Sequence, residues 1–309
     1  MSYGSAGDGR LSKNDRREAA REKAKILREQ QRKKDLRNRF FLFGGLGVVV
    51  VAIGVAVTLI IVSGLKPAGP GPLNMASDGL KVSKGFVAAT TPAQPSDAAP
   101  VAEKPDYSTG VVDIQVYVDY LCPYCGQFEA TNAEQIGKWI DSEAATLEIH
   151  PLAILDRGSQ GTKYSTRSAN AAACVANYSP DNFYDFSALL FKNQPAEQTP
   201  GLDDAALKGY VSDAGASNVD KIEKCIDDTE FKGWVAASTA RALKGPLPNT
   251  DVEKVKGTPT VLVNGQLYSG SLTDPDAFSA FVLQVAQEAY STSTPTPTPE
   301  ATTDPTPAG

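Results

Sequence analysis

The chain has 309 residues and a formal net charge of −6 that is unevenly distributed. Residues 1–39 carry 13 Lys and Arg against 6 Asp and Glu, whereas the remainder carries 17 against 30. The acidic remainder excludes nucleic acid as its partner, because binding to phosphates needs a basic surface. The basic head leaves two interpretations open: an arm that binds nucleic acid, or the cytoplasmic flank of a membrane anchor.

A long apolar segment follows the basic head directly and favours the anchor. Residues 40–62 read FFLFGGLGVVVVAIGVAVTLIIV, without a charged side chain. As a helix rising 1.5 Å per residue this segment would extend about 34 Å, enough for a bilayer core of roughly 30 Å. It is longer than the apolar core of a cleaved signal peptide, so we expect an uncleaved transmembrane helix. The preceding Lys and Arg predict a cytoplasmic N-terminus and an extracytoplasmic remainder.

Two further segments have compositions that are typical of unstructured chain. Residues 63–108 are rich in Pro, Ala, Gly, Ser and Thr, and we interpret them as a flexible linker. Residues 291–309 form a Thr/Pro-rich tail, which we expect to be disordered. The folded part is therefore predicted over residues 109–290, the size of one domain.

The predicted elements of the folded part alternate between strand and helix. Residues 111–118 indicate a strand, a helix follows the two cysteines after it, and residues 146–155 indicate a second strand. Residues of about 160–245 have helical patterns in several short pieces. Two short strands then flank Asn264-Gly265, a strong hairpin signal, and a last helix begins at Asp274-Pro275. This order predicts an α/β fold with a helical insertion.

The motif Cys122-Pro123-Tyr124-Cys125 lies between the first predicted strand and its helix. Unpaired N–H groups and a partial positive charge at a helix N-terminus stabilise a thiolate, which is the nucleophilic form of cysteine. Cys122 is therefore expected to attack disulfides, and Cys125, one turn later, to resolve the mixed disulfide. Pro123 suits the first helical turn because it has no N–H to lose. Pro123 and Tyr124 are expected to support the active site.

Two other roles for the same pair follow from its spacing. Two cysteines separated by two residues can supply two of the four ligands of a zinc site. Cys174 and Cys225 would then have to supply the other two. These two stand alone on predicted helices without metal-ligand spacing, so we expect no metal. A purely structural disulfide within the motif is disfavoured, because so short a loop adds little stability.

A second motif, Gly257-Thr258-Pro259-Thr260, stands just before the predicted hairpin. With the strand, the CPYC motif, its helix and the helical insertion, it makes residues 109–290 resemble the thioredoxin superfamily, and within it the DsbA-like proteins. The resemblance implies a thioredoxin-like fold without a cofactor and a cis Pro259 that faces the redox pair. It also implies that Thr258, through its backbone, and Pro259 bind substrate. An ordinary trans proline at the start of a strand is the alternative.

The chain departs from the DsbA-like pattern at two positions. Val116 stands where many members have a buried acidic residue, and Asp119 is the nearest carboxylate in sequence. We interpret Asp119 as a solvated residue at a strand end, with a role in proton movement as the alternative. Tyr124 stands where strong oxidants often have His, so we expect a milder oxidant. His150, the only histidine, is assigned no role.

The remaining cysteines, Cys174 and Cys225, both fall in the helical insertion. An even cysteine count in an exported domain favours their pairing. The bond would close a loop of about 50 residues and contribute about 4 kcal/mol. We therefore expect a structural disulfide; a second redox pair and two free thiols are the alternatives.

These features predict a membrane-anchored monomer that introduces disulfides into exported cysteine-containing proteins. The resemblance also implies a partner that reoxidises it, a membrane protein of the DsbB or vitamin K epoxide reductase type. A thiol reductant or isomerase, for example in cytochrome maturation, uses the same chemistry in the other direction. A tethered chaperone without catalysis is the third hypothesis, against which the two intact motifs argue.

Overall fold

The computed structural model describes residues 69–293. The predicted cytoplasmic segment, the predicted transmembrane helix at residues 40–62 and nearly all of the Thr/Pro tail lie outside the described residues. Within residues 69–293, no helix has both the length and the apolar character needed to cross a membrane.

The described part of the chain folds into one mixed sheet with helices packed around it. The strands are β1 (Leu80–Ser83), β2 (Val87–Ala88), β3 (Val112–Val118), β4 (Ala145–Pro151), β5 (Thr260–Val263) and β6 (Gln266–Leu267). The helices are α1 (Pro123–Asp141), α2 (Tyr164–Tyr178), α3 (Phe183–Lys192), α4 (Asp204–Asp213), α5 (Val219–Asp228), α6 (Lys232–Lys244) and α7 (Pro275–Ser293). The strand order is β2-β1-β4-β3-β5-β6, in which β3 and β4 are parallel and the other pairs are antiparallel. The predicted α/β class and the helical insertion, which is α2 to α6, are confirmed.

The central strand β3 is buried along its whole length. Its β-branched residues suit a strand with neighbours on both sides. Ile114 and Val116 point to the main core, where α1 buries Phe128, Ile136 and Ile140 against the sheet. Each such buried side chain contributes about 1.5–3 kcal/mol. This packing fixes the end of β3 against the beginning of α1.

The opposite face of the sheet carries a smaller apolar cluster. Tyr117 and Leu262 pack there with Ala242 and Leu247 from α6 and the loop after it. The ring of His150 stacks on Tyr117 with the centroids 4.2 Å apart. The structure therefore places the only histidine in the packing of this face.

The interpretation of residues 63–108 as a flexible linker is wrong for the part of it that the structure describes. β1 pairs with β4, so that Leu80 lies opposite Ile149 and Val82 lies opposite Leu147. Leu80 and Val82 are buried in the main core. The Pro- and Ala-rich composition hides this strand because it has only four residues and is stabilised by a partner far along the chain.

Arg241 of α6 also binds the segment that contains β1, at Asp78 before the strand and at Ser96 after it. Its guanidinium donates two hydrogen bonds to the Asp78 carboxylate, both at 2.7 Å, and one to the Ser96 carbonyl at 2.8 Å. A bidentate pair of this kind is among the stronger polar contacts in proteins. The segment is thus fixed to the sheet by β1 and to the helical insertion by Arg241.

The helical insertion contains the predicted disulfide between Cys174 and Cys225. Cys174 lies on α2 and Cys225 on α5, and both are fully buried. The Ala-rich face of α2 is buried as well, and its small side chains allow neighbouring helices to pack closely. The bond therefore joins two helices at the centre of the insertion.

The predicted hairpin and the beginning of the last helix are both present. Asn264 and Gly265 connect β5 to β6 with φ values of 46° and 78°. A Cβ atom at position 265 would overlap the Asn249 carbonyl, so glycine is required there by space as well as by its backbone conformation. At the beginning of α7, the Asp274 carboxylate accepts hydrogen bonds from the backbone N–H groups of Asp276 and Ala277. These local signals were sufficient to place both elements.

Candidate active site

The CPYC motif forms the junction between β3 and α1, with Cys122 as the N-cap residue and Pro123 at the first helical position. The Cys122 carbonyl accepts the Cys125 N–H at 3.0 Å, which closes the first turn. Tyr124 is 60% exposed, whereas Cys122 is 4% exposed and Cys125 1%. The motif therefore presents Pro123 and Tyr124 to solvent and keeps both sulfur atoms largely covered.

The Thr258-Pro259 loop lies directly against Cys122. The peptide bond between Thr258 and Pro259 is cis, as the resemblance implies, and the trans alternative is wrong. In its protonated form the Cys122 thiol donates a hydrogen bond to the Thr258 carbonyl, with Sγ and the oxygen 3.1 Å apart and 136 residues between them in sequence. The sheet creates this contact, because Tyr117 of β3 pairs with Thr260 of β5 just beyond the loop.

The two thiols of the motif have opposite acidities. The hydrogen bond from the Cys125 thiol lowers the pKa of the Cys122 thiol to about 6, while burial opposes the shift. The Thr258 hydroxyl and the backbone N–H groups of Cys125 and Tyr124 lower it further. Burial raises the pKa of the Cys125 thiol well above its usual value, and the hydrogen bond that it gives to Cys122 adds to the increase. At neutral pH the geometry therefore provides one thiolate and one thiol.

A zinc site at the CPYC motif would lack two of its four ligands. Cys174 and Cys225 are bonded to each other and are not available to join Cys122 and Cys125. Over residues 69–293, no cluster of three or more His, Cys, Asp or Glu side chains has an arrangement suited to a metal ion.

Asp119 is buried, so its interpretation as a solvated strand-end residue is wrong. Its carboxylate accepts hydrogen bonds from the backbone N–H groups of Leu121, Ile154 and Leu155 at 2.8–2.9 Å. Burial raises the pKa of this carboxyl, and the three hydrogen bonds oppose the increase. The chain after β4 turns back across the end of β3, which brings these donors to Asp119. The residue thus ties the active-site turn to the loop after β4.

Gln194, just after α3, supports the active-site turn from the side of the helical insertion. Its Nε2 atom donates to the Tyr120 carbonyl at 3.1 Å and to the Cys122 carbonyl at 2.9 Å. A Cβ atom at Gly126 would overlap the Gln194 Oε1 atom, so the glycine leaves room for this contact. Sequence reasoning missed Gln194, because a glutamine 72 residues from Cys122 carries no local signal.

Comparison with known proteins agrees with this geometry. A family model described as thioredoxin matches residues 108–283. The reduced DsbA of Mycobacterium tuberculosis is 30% identical, with a TM-score of 0.50, and the match covers 70% of this chain and 100% of that one. The reduced disulfide bond oxidoreductase DsbG of the same organism is 29% identical, with a TM-score of 0.51, and covers 73% and 96%.

A longer curated protein also contains a related region. The Na(+)/H(+) antiporter NhaA 1 of Salinispora arenicola is 26% identical over 242 residues, which is 77% of this chain. The match spans only 32% of the antiporter's length.

Proposed function

The chain belongs to the thioredoxin family and is a thiol–disulfide oxidoreductase, and from this premise we propose that it introduces disulfides into exported proteins. The observation that carries the proposal is the pair of opposite acidities at Cys122 and Cys125. A thiolate that is stable at neutral pH is a good leaving group, so substrate disulfides are released readily from Cys122.

Each catalytic cycle exchanges one disulfide. A substrate thiolate attacks the Cys122 sulfur of the oxidised pair, the bond between the two enzyme sulfurs breaks, and Cys125 leaves. A second thiolate of the substrate then attacks the substrate sulfur of the mixed disulfide and expels Cys122 as a thiolate. The substrate loses two electrons to the enzyme pair, which ends reduced.

The acidity of Cys122 also favours this direction. A thiolate with a low pKa stabilises the reduced enzyme, whereas the oxidised pair has no thiol to ionise. The pair is therefore more oxidising than one with unperturbed thiols. Because Tyr124 contributes no positive charge near the sulfur, we expect a milder oxidant than a variant with histidine there.

The site of action is proposed from the N-terminal sequence. Residues 40–62 would anchor the chain in the membrane, with residues 1–39 in the cytoplasm and the thioredoxin-like domain outside. Newly exported cysteine-containing proteins are the proposed substrates. A membrane reoxidase of the DsbB or vitamin K epoxide reductase type is the proposed partner, and anchoring keeps the redox pair near both.

The reactivation of reduced, unfolded ribonuclease by the oxidised full-length chain tests the chemistry. Cys122→Ser should lose the activity, because no sulfur remains to form the mixed disulfide. Cys125→Ser should instead retain a mixed disulfide when it is mixed with a disulfide-containing protein: its Cys122 thiolate attacks the substrate disulfide and releases one substrate thiolate, and no Cys125 sulfur is left to resolve the adduct, which is visible on a nonreducing gel. Full reactivation by Cys122→Ser would contradict the proposal.

Thiol trapping in cells tests the direction. The proposed oxidase should hold the Cys122–Cys125 pair mostly as the disulfide, because its partner reoxidises it. A pair that is mostly reduced in growing cells would identify a reductant instead.

A further inference from the structure

A cavity of about 430 Å³ lies against the face of the sheet opposite α1, and the disulfide exchange described above does not use it. Its walls come from the N-terminal segment, from β3 and β4, and from α6 with the loop after it. Neither the CPYC motif nor the Thr258-Pro259 loop lines this cavity. Its volume is typical of sites that bind small molecules.

Most of the cavity wall is apolar. Tyr117 of β3 forms one side, and its ring stacks on the ring of His150 with an angle of 14° between the planes. The loop after α6 forms another side with Pro246, Leu247 and Pro248. A rigid planar molecule suits such walls, because it packs on aromatic and proline rings and has little conformational entropy to lose on binding.

His150 is a polar group of this wall that the rest of the described chain leaves without a hydrogen-bond partner. Its side chain is 2% exposed, and neither ring nitrogen forms a hydrogen bond within residues 69–293. The Glu148 Oε1 atom lies 3.6 Å from Nε2, too far for a hydrogen bond, and it already accepts one from the Ser77 hydroxyl. Because a buried polar group without a partner is costly, the imidazole is suited to a polar atom of a ligand.

The imidazole of His150 is held in one position, with Tyr117 against its face and Gly79 against its edge. A Cβ atom at position 79 would overlap Cε1 and both nitrogens of the ring, so glycine leaves room for it. An uncharged imidazole has one N–H donor and one acceptor nitrogen. A hydroxyl group can bond to either nitrogen, because it both donates and accepts. The fixed ring therefore favours a ligand that carries a hydroxyl group.

Lys244 gives the cavity an excess positive charge. Asp78 and Arg241 also line the cavity, but they neutralise each other through their bidentate pair. Lys244 is exposed at the end of α6, and no carboxylate of residues 69–293 pairs with it. Because Lys244 is exposed and His150 is buried, the two groups mark the outer and the inner end of the cavity. A matching ligand carries its anionic group at the outer end.

We propose that this cavity binds a small planar organic acid that has a hydroxyl group at one end and a carboxylate at the other. The hydroxyl group bonds to a ring nitrogen of His150 in the interior. The planar body packs on Tyr117 and the proline-rich loop after α6, and the carboxylate pairs with Lys244 at the outer end. Binding involves no covalent or redox step and goes beyond the function proposed above.

A series of three naphthalene compounds tests the proposal. The probe is 6-hydroxy-2-naphthoate, which carries the two polar groups at opposite ends of a rigid planar body. Each analogue lacks one group: 2-naphthoate has no hydroxyl and 2-naphthol has no carboxylate. Isothermal titration calorimetry with the reduced full-length chain at neutral pH gives the three dissociation constants. Because the protein is unaltered in this comparison, misfolding of a variant cannot explain a difference.

Each polar group of the probe should have its own effect. We expect 2-naphthoate to bind about tenfold more weakly than 6-hydroxy-2-naphthoate, because the imidazole is left without a partner. Lys244→Met should weaken the binding of both carboxylates about threefold, as expected for an ion pair near the surface, and leave 2-naphthol unchanged. Lys232→Met is the matched control, because Lys232 is an exposed lysine of α6 that does not line the cavity. It should bind all three compounds as the wild type does.

The single histidine of the chain provides a second, local measurement. Because His150 is the only histidine, the two imidazole ¹⁵N resonances of the protein report on this cavity alone. Titration with 6-hydroxy-2-naphthoate should shift one of these resonances, with the dissociation constant that calorimetry gives. The shift caused by 2-naphthoate should be much smaller, because this compound has no group that bonds to the ring.

Three results would overturn the inference. The first is a chain that does not bind 6-hydroxy-2-naphthoate. The second is equal affinity for 6-hydroxy-2-naphthoate and 2-naphthoate, because His150 would then make no bond to the ligand. The third is an equal effect of Lys244→Met and Lys232→Met. None of these results bears on disulfide exchange, which the reactivation of ribonuclease tests separately.

Discussion

Cys174 and Cys225 face each other from two packed helices of the insertion, whereas Cys122 and Cys125 share one helix N-terminus. The first pair is fully buried, and its bond closes a loop across 51 residues. The second pair is three residues apart, and the exposed Tyr124 lies between its members. The two cysteine pairs of one chain thus lie in different surroundings, one between two helices and the other at a helix N-terminus.

The difference shows what makes a cysteine reactive in this fold. Cys174 and Cys225 are fully buried between helices, where the one donor to either sulfur among the described residues is the Asn170 side-chain amide, 3.7 Å from Cys174. This burial leaves little access for an attacking thiol. Cys122 has the Cys125 thiol, the Thr258 hydroxyl and two backbone N–H groups around its sulfur. Surroundings, not the residue type, therefore separate the structural disulfide from the redox pair.

Removal of the structural disulfide should have the largest effect on stability. In a Cys174→Ala/Cys225→Ala variant, the free energy of unfolding should fall by about 4 kcal/mol, because the unfolded chain regains the entropy of a long loop. Urea denaturation measures this change. Cys122→Ser/Cys125→Ser, compared with the reduced chain, is the control and should cost only about 1–2 kcal/mol, because serine nearly keeps the volume of each buried thiol and no long loop is opened. Equal losses in the two variants would remove the distinction between the pairs.

Asp119→Ala should cost about 3 kcal/mol, because three backbone N–H groups at the active-site turn lose their acceptor. Asp119→Asn should cost less, since one carbonyl oxygen remains to accept hydrogen bonds. Urea denaturation again gives the free energies of unfolding. The account of Asp119 as the tie between two loops would be wrong if the alanine variant lost less than about 0.5 kcal/mol.

Gln194→Ala should have the smallest effect, a loss of about 1 kcal/mol, because water can replace part of its two hydrogen bonds to the turn. The local consequence should be larger than the global one, with faster amide hydrogen exchange at residues 120–126. Gln127→Ala, at an exposed glutamine on α1, is the matched control. Unchanged exchange in Gln194→Ala would mean that the turn holds its conformation without this contact.

Features that depend on neighbouring residues could be predicted from the sequence. Asn264-Gly265 gave the hairpin, Asp274-Pro275 gave the beginning of α7, and the CPYC motif gave the helix N-terminus with its two thiols. Each of these signals spans only a few residues. The prediction of the Cys174–Cys225 pair also used the expectation of an extracytoplasmic location, which favours disulfides.

Features that depend on distant partners could not be predicted. β1 exists because β4 offers it an edge, and Asp119 is buried because the chain after β4 returns across the end of β3. In each case the local sequence is compatible with solvent exposure, and only the fold supplies the partner.

The pH dependence of alkylation at the two active-site thiols, resolved by mass spectrometry in the reduced full-length chain, tests the central claim most directly. The rate at Cys122 should rise with pH and reach half its maximum near pH 6, because the thiolate is the reactive form and its pKa is lowered. Cys125 should remain unreactive beyond pH 9, where its thiol is still protonated. If both thiols instead titrated together near their ordinary pKa of about 8.5, the asymmetry on which the account rests would not exist.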